Sequence, residues 1–194
     1  IERVGKAQPL YGEADTLTLT VIGDIMLHSR QMEYPYGPFL AGVSARLRES
    51  DFAIGNMEFT LAGEPYSGYP AFSAPDQYAE YAAECGIDVF LTANNHILDK
   101  GLRGLARTLD VYGEMEADGR IRFTGSAVDD EDKNRRYPLM LRKKGFNIAL
   151  INFTYGTNVG DLSEDWPATF RMRRDATAAA IARAEEKMAD VIIA

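Results

Sequence analysis

The sequence predicts an α/β protein in which helices cover the faces of a mostly parallel β-sheet. Short apolar, β-branched segments alternate with segments whose apolar residues have helical spacing, as expected for repeated strand–helix units. Polar residues directly follow several of the apolar segments, which is where α/β proteins place binding and catalytic groups. The 194 residues suffice for one medium-sized domain with a sizeable core.

The first half of the chain contains three predicted strands and two predicted helices. The strands are rich in β-branched apolar residues. The first helix has Phe39, Val43 and Leu47 on one face, and the second begins at Pro75 and stops at Gly86. In order, the predicted elements are strand 17–23, helix 39–49, strand 52–55, helix 75–85 and strand 88–92.

The second half continues the alternation and adds a hairpin. A helix follows at once, with Leu102, Leu105 and Leu109 on one face, and Asp175 is the predicted N-cap of the last helix. The turn 143–145 ends in glycine and joins two apolar segments, which indicates a hairpin. In order, the predicted elements are helix 101–115, hairpin strands 137–142 and 146–152, helix 175–188 and strand 190–194.

In the remaining segments the apolar residues have neither helical nor strand spacing. Residues 1–15 are interpreted as a leader or loosely attached segment, which makes 16–194 the domain. Residues 59–74, rich in Gly, Pro and aromatics, are expected to form an irregular excursion over a site. We expect 126–136 to be charged and solvated and 161–169 to form a loop. The apolar strand 190–194 would leave an exposed edge, so we expect the protein to continue beyond it.

Composition excludes several classes of function. The net charge of −8 argues against a nucleic-acid binder and against a protein of anionic membrane surfaces. The single cysteine, Cys85, excludes an internal disulfide and a cysteine-rich zinc site. The sequence also lacks a Gly-x-Ser-x-Gly elbow, a Walker loop and a dinucleotide-binding fingerprint.

The segment 91–101 is the densest cluster of polar functional groups. It brings Asn94, Asn95, His96 and Asp99 into one loop between a strand and a helix. Amide oxygens, a carboxylate and an imidazole together suit a hard-metal or phosphate site. The alternative is structural: the two asparagines form a turn and Asp99 caps the following helix.

Polar groups follow four predicted strands, and the carboxyl ends of parallel strands share one edge of the sheet. They are Asp24, Asn56 with Glu58, Asn94-Asn95-His96, and Asn152 with Thr154. Asp24 and Glu58 would supply charge, Asn95 an amide oxygen, and His96 a ligand nitrogen or a proton for Mn²⁺, Mg²⁺, Fe or Zn²⁺ chemistry. Alternatively Asp24 is a cap and Glu58 a surface acid.

Three further residues are candidates for substrate binding: Arg30, Asn94 and His28. Arg30 either binds an anionic substrate or pairs with an acid. His28 is either a ligand or a residue that hydrogen-bonds locally. The aromatic residues Tyr66, Tyr69 and Phe72 of the excursion are equally consistent with packing and with a substrate platform.

Three motifs occur together in this sequence: Gly23-Asp24, Asn56-Met57-Glu58, and Asn94-Asn95-His96 with Asp99 and Gly101. In combination they resemble the CapA family of bacterial capsule or poly-γ-glutamate biosynthesis proteins, which are related to calcineurin-like metallophosphatases. The resemblance implies a two-sheet α/β/β/α sandwich with a divalent-metal site. It also implies that Asp24 and Glu58 face the metal, that Asn95 is a ligand, and that His96 stabilises or protonates the leaving oxygen.

The sequence departs from the pattern of these phosphatases in two ways. Met26 stands where they carry a histidine, two residues after the first aspartate. The histidine-rich motifs of the family's C-terminal half are absent from these 194 residues. The chain is therefore expected to be an incomplete, N-terminal portion of the fold that cannot build a complete binuclear centre alone.

The resemblance implies a protein of surface-polymer synthesis with a metal-dependent hydrolase or transferase site at the carboxyl edge of the sheet. Its partners would be a polyanionic polymer or its precursor and a membrane-bound synthesis complex, outside the cytoplasm. The alternative is a non-catalytic scaffold or polymer-binding subunit with a degenerate metal site. A third hypothesis is a nucleotide or sugar-phosphate phosphoesterase unrelated to capsule.

Overall fold

The computed structural model describes residues 16–159 and 174–194. Its first sheet has four strands in sequential order, and every neighbouring pair is parallel. These strands are β1 (Leu19–Ile25), β2 (Phe52–Met57), β3 (Val89–Leu91) and β4 (Arg122–Thr124). Because all four run the same way, their carboxyl ends lie along one edge of the sheet.

Helices connect these strands and cover one face of the first sheet. They are α1 (Ala41–Glu49), α2 (Asp76–Glu84) and α3 (Gly101–Ala117). Crossovers of one hand between sequential neighbours place every helix on the same face. Buried side chains from this face and the helices, among them Phe59, Phe90, Tyr112 and Phe123, form the largest apolar cluster.

The second sheet contains the predicted hairpin. It is formed by β5 (Leu139–Lys143), β6 (Phe146–Leu150) and β7 (Val191–Ile193). Strand β5 is antiparallel to β6, and β7 is parallel to β6. Lys144 and Gly145 at the turn have φ of 50° and 80°, as a tight hairpin turn requires.

The two sheets pack face to face. Ile54 of β2 and Val89 of β3 are buried against Leu139, Ile148 and Leu150 of the second sheet. Helix α5 (Arg174–Glu186) covers the opposite side of that sheet, where Ala180 is buried in a cluster with Tyr137 and Ile151. The layers are therefore α/β/β/α, as the resemblance implied.

Among the strands and α-helices of the described ranges, two were missed by the sequence analysis. Strand β4 is one, and α4 (Asp130–Arg136) is the other; α4 lies in the stretch expected to be merely solvated. Asp129 caps α4 by accepting from Asp132 N at 2.8 Å, and Asp132 itself is buried against two arginines. Most of this segment is exposed, as the sequence analysis expected, but ion pairs rather than apolar residues hold part of it as a helix.

The start of the last helix differs from its predicted position, and two predicted segments cannot be compared with the structure. Helix α5 begins at Arg174, so Asp175 lies in its first turn and not at the predicted cap position. The predictions for residues 1–15 and 161–169 lie outside the described residues. None of the helices in the described ranges has the length and hydropathy needed to cross a bilayer.

Gly125, just after β4, packs against the hydrogen bond that links the loops of the two sheets. Its φ is +121°, and a Cβ there would lie 2.0 Å from Asn152 Oδ1 and 2.4 Å from Ala93 N. Those two atoms form a hydrogen bond of 2.8 Å between the loops after β6 and β3. We expect Gly125→Ala to lower the free energy of unfolding by roughly 2–4 kcal/mol, because it adds strain and breaks this bond.

Gly113→Ala is the matched control, measured alongside by urea denaturation. Gly113 lies inside α3, and a Cβ there meets nothing within 4 Å. This variant should be stabilised by roughly 0.5–1 kcal/mol, because alanine has the higher helix propensity. Equal free energies of unfolding for the two variants would contradict the role assigned to Gly125 and to the hydrogen bond between Ala93 and Asn152.

Candidate functional site

The site begins at a β-bulge in the first strand. The pairing of β1 with β2 shifts between Ile22 and Asp24, so Asp24 lies opposite Asn56. Asn56 Nδ2 donates to Asp24 Oδ1 at 2.7 Å and to Glu58 Oε2 at 3.4 Å. One amide therefore holds two carboxylates from neighbouring strand ends.

Glu58 is the buried member of this acid pair. The residue is 7% exposed, whereas Asp24 is exposed at the edge of the site. Burial raises the pKa of Glu58 to about 7, and its hydrogen bond to Asp24 and the charge of that residue act in the same direction. Among the described residues, His96 is the only basic residue that lies within ion-pair distance of either acid.

Asn94 attaches the loop after β3 to the end of β2. Its Nδ2 donates to Asn56 Oδ1 at 3.1 Å and to the main-chain oxygen of Met57 at 3.0 Å, and its Oδ1 accepts from His96 N at 3.0 Å. The side chain is thus fully engaged within the protein. The structure brings this predicted substrate-binding residue to the site through contacts to the protein itself.

His96 and Asp99 form a buried dyad. His96 Nδ1 lies 2.7 Å from Asp99 Oδ2, and its Nε2 lies 3.8 Å from Glu58 Oε1. Because a carboxylate only accepts, Nδ1 carries the hydrogen and Nε2 is directed toward the acid pair. Lys100, not Asp99, is the N-cap of α3, so the interpretation of Asp99 as a helix cap was wrong.

The irregular segment 59–74 supplies one wall of the dyad. Phe72 is fully buried; its main-chain N–H donates to Asp99 Oδ2 at 2.7 Å, and its ring meets the His96 ring edge-on at 4.8 Å. Tyr69, by contrast, is 74% exposed. Sequence reasoning expected an excursion over a site here, but it could not select Phe72 among the aromatics.

His28 lies at the outer side of this wall, and Arg30 follows it two residues later in the chain. The exposed His28 ring packs edge-on against Phe72 at 5.1 Å, and its main-chain N–H donates to Gln31 Oε1 at 2.8 Å. Arg30 is also exposed, and its side chain has no ion-pair or hydrogen-bond partner within the described ranges. Their roles in substrate binding stay predictions.

Asn95 faces a residue that the sequence analysis did not select. Its Nδ2 lies 3.3 Å from Asn158 Oδ1, and its main-chain oxygen accepts from Asn158 N at 2.8 Å. Asn158 Nδ2 in turn lies 3.2 Å from His96 Nδ1. The position of Asn158 after β6, at the same edge, was the available clue. Asn95 as a metal ligand stays a prediction.

The other two polar residues after β6 have local partners. Asn152 accepts from Ala93 N at 2.8 Å, and the Thr154 hydroxyl donates to Gly156 O at 3.1 Å. Asn152 therefore joins the sheets.

The donor set fits one hard divalent cation better than a binuclear centre. Asp24 and Glu58 supply two carboxylates within reach of one another, which is the chemistry that such a cation requires. Among the described residues, however, no three His, Cys, Asp or Glu side chains are grouped to hold a metal. Met26 cannot complete the set, because it packs against the apolar cluster below the helices.

Comparison with known proteins agrees with this fold. Residues 18–194 match the family model described as bacterial capsule synthesis protein PGA_cap. The chain is 27% identical over 199 residues to the capsule biosynthesis protein CapA of Bacillus anthracis, an alignment that covers 96% of this chain and 47% of that protein. It is 31% identical over 127 residues to the uncharacterized protein y4sH of Sinorhizobium fredii, covering 59% of this chain and 27% of the relative.

A solved structure shares the fold at low sequence identity. The crystal structure of a 5'-nucleotidase precursor from Thermus thermophilus aligns with a TM-score of 0.52 and 15% identity, over 91% of this chain and 36% of that one. The chain thus spans about half or less of the length of these relatives. It belongs to the CapA family of bacterial capsule synthesis proteins and has the fold of the calcineurin-like metallophosphatase superfamily.

Proposed function

We propose that this chain carries a cation-dependent hydrolase or transferase site that acts in the synthesis of a capsule polymer. One observation supports the proposal above all others. Glu58, buried beside Asp24, lies 3.8 Å from Nε2 of a histidine whose other ring nitrogen is held by a carboxylate. A turn that only joins a strand to a helix has no need of this arrangement.

Asp24 and Glu58 would hold the cation, and the resemblance adds Asn95 as an amide ligand. Two carboxylates in contact repel one another, and this repulsion is relieved by a cation or a shared proton. When bound, Mn²⁺, Mg²⁺, Fe or Zn²⁺ would polarise a phosphoryl or carbonyl oxygen and activate water. The metallophosphatase-like fold, which is generally associated with divalent metals, supports this assignment.

His96 would move the proton in this reaction. Asp99 holds the imidazole through Nδ1–H, and when the ring is protonated at both nitrogens Nε2–H would donate its proton to the leaving oxygen, which leaves the neutral ring bound to Asp99. Phe72 excludes water from one side of the ring and orients Asp99 through its N–H. Asp99 is therefore a positioning residue, and His96 is the catalytic residue.

The family suggests a role in the cell envelope, and we propose that the chain acts outside the cytoplasm. Its substrate would be a polyanionic polymer, such as poly-γ-glutamate, or a precursor of one. Arg30 and His28, exposed beside the site, would contact the anionic substrate together with the loop of Asn94. A membrane-bound synthesis complex is the proposed partner.

A second candidate is a non-catalytic scaffold or polymer-binding subunit with a degenerate metal site. Its specific support is Met26, which packs into the apolar cluster at the position where related phosphatases place a histidine. The two candidates differ in metal binding, which the first experiment below measures.

We expect Glu58→Gln and Asp24→Asn each to weaken Mn²⁺ binding at least about tenfold, because each removes one of two carboxylate ligands. Isothermal titration calorimetry at pH 8 measures the change. Glu49→Gln is the control, since Glu49 lies at the exposed end of α1 and pairs with Arg46. Absence of stoichiometric Mn²⁺ binding by the unaltered protein would favour the scaffold.

The stability of the metal-free protein should depend on the ionisation of Glu58. Its pKa rises from 4.5 to about 7 on folding, so the folded state retains a proton that the unfolded state loses. The resulting stabilisation is complete below pH 4.5 and is lost as the pH rises through about 7. Urea denaturation in EDTA should therefore show Glu58→Gln gaining stability over the unaltered protein between pH 5 and pH 8. Parallel pH profiles of the two proteins would contradict this.

We expect His96→Gln to reduce turnover of p-nitrophenyl phosphate esters by about 10²–10⁴-fold in the presence of Mn²⁺, because the proton donor is lost. Asp99→Asn should lower kcat with little effect on KM and alter the pH profile, since Asp99 only orients the histidine. Asp118→Asn, at the exposed end of α3, is the control. Unchanged turnover in His96→Gln would remove His96 from the mechanism.

A further inference from the structure

A ladder of alternating charges extends from the amino end of β4 along helix α4 and shares no residue with the candidate site. Glu116 accepts from Arg122 Nε at 2.9 Å and from Arg136 Nη1 at 2.6 Å. Asp132 accepts from Arg136 Nε at 2.7 Å and from Arg135 Nη2 at 2.6 Å. The order is therefore Arg122, Glu116, Arg136, Asp132, Arg135, with an arginine at each end.

The middle of the ladder is fixed by packing. The Arg136 side chain is 11% exposed, and its guanidinium carbon lies 3.8 Å from the centre of the Phe123 ring. The Asp132 side chain is buried more deeply still, at 7% exposed. A buried guanidinium that pairs with two acids and stacks on an aromatic ring has little freedom to move.

The two ends differ from the middle. The side chains of Arg122 and Arg135 are 49% and 69% exposed, and each forms one ion pair among the described residues. Three guanidinium groups face two carboxylates, so the ladder carries one excess positive charge. Glu131 is the further acid that acts on Arg135, but it is exposed and therefore well screened by water.

The ladder borders a cavity of about 270 Å³. All three arginines line it, and Phe123 and Leu139 supply apolar walls. Each guanidinium has five N–H donors, of which the ladder uses only a few, so unused donors remain around a partly apolar space. Such a combination suits a ligand with acidic groups and a short aliphatic chain.

We propose that this cavity binds a short aliphatic dicarboxylate, with one acid group held by Arg122 and the other by Arg135, both of which line it. A planar guanidinium matches a carboxylate in two parallel hydrogen bonds, and the two exposed guanidinium groups offer one such partner to each acid group, whereas inorganic phosphate has only one anionic group to place. The site is separate from Asp24, Glu58 and His96, so it does not depend on the function proposed for them.

Glutarate serves as the probe, with binding to the purified protein followed by NMR chemical-shift titration. We expect saturable shifts in residues around the cavity and affinity at least about tenfold weaker in Arg122→Gln/Arg135→Gln, because both bidentate partners are lost. Arg122→Lys/Arg135→Lys keeps the charge and the ladder's ion pairs, and should also bind more weakly. Inorganic phosphate should bind less tightly than glutarate.

Two control variants isolate the cavity. Arg46→Gln removes an exposed arginine of α1, and Glu58→Gln alters the candidate site; both should leave glutarate binding unchanged. Equal glutarate affinity in the unaltered protein and in both double variants would overturn the proposal. Tighter binding of phosphate than of glutarate would overturn the choice of a carboxylate ligand.

Discussion

The side-chain amide of Asn94 is the contact on which the candidate site depends. It bonds to Asn56 and to the main-chain oxygen of Met57, and it accepts the main-chain N–H of His96. Strand β3 has only three residues, so its own ladder bonds cannot position the loop that follows it. Because Asn56 also holds Asp24 and Glu58, Asn94 determines where the imidazole lies relative to both acids.

The electrostatic character of the site follows from that placement. The carboxylates of Glu58 and Asp99 adjoin one imidazole in a region closed on one side by Phe72, and Asp24 lies on the far side of Asn56 and Glu58. Burial and the neighbouring acid keep Glu58 protonated to higher pH than an exposed glutamate. The same acid groups that raise this pKa support the proposal that the site binds a cation.

The sequence predicted those strands and helices in which apolar residues recur at regular spacing over several residues. Strands β1 to β3, the helices between them and the hairpin of β5 and β6 were all predicted from apolar pattern and turn residues. Strand β4 was not, because it has three residues, starts with Arg122 and exists through its pairing with β3. Helix α4 contains no apolar residue, and its cap and ion pairs replace the apolar face that sequence reasoning looks for.

The sequence by itself determined the α/β class and selected Asp24, Glu58 and His96 as candidates at the carboxyl edge of the sheet. The class follows from the alternation of strands and helices, and the candidates follow from the residue types after each strand, which are local properties. Only the tertiary structure decided that Asn94 bonds to Asn56, that Asp99 pairs with His96 and that Phe72 and Asn158 adjoin the ring. Those contacts depend on side-chain direction and on segments distant in sequence, and spacing along the chain encodes neither.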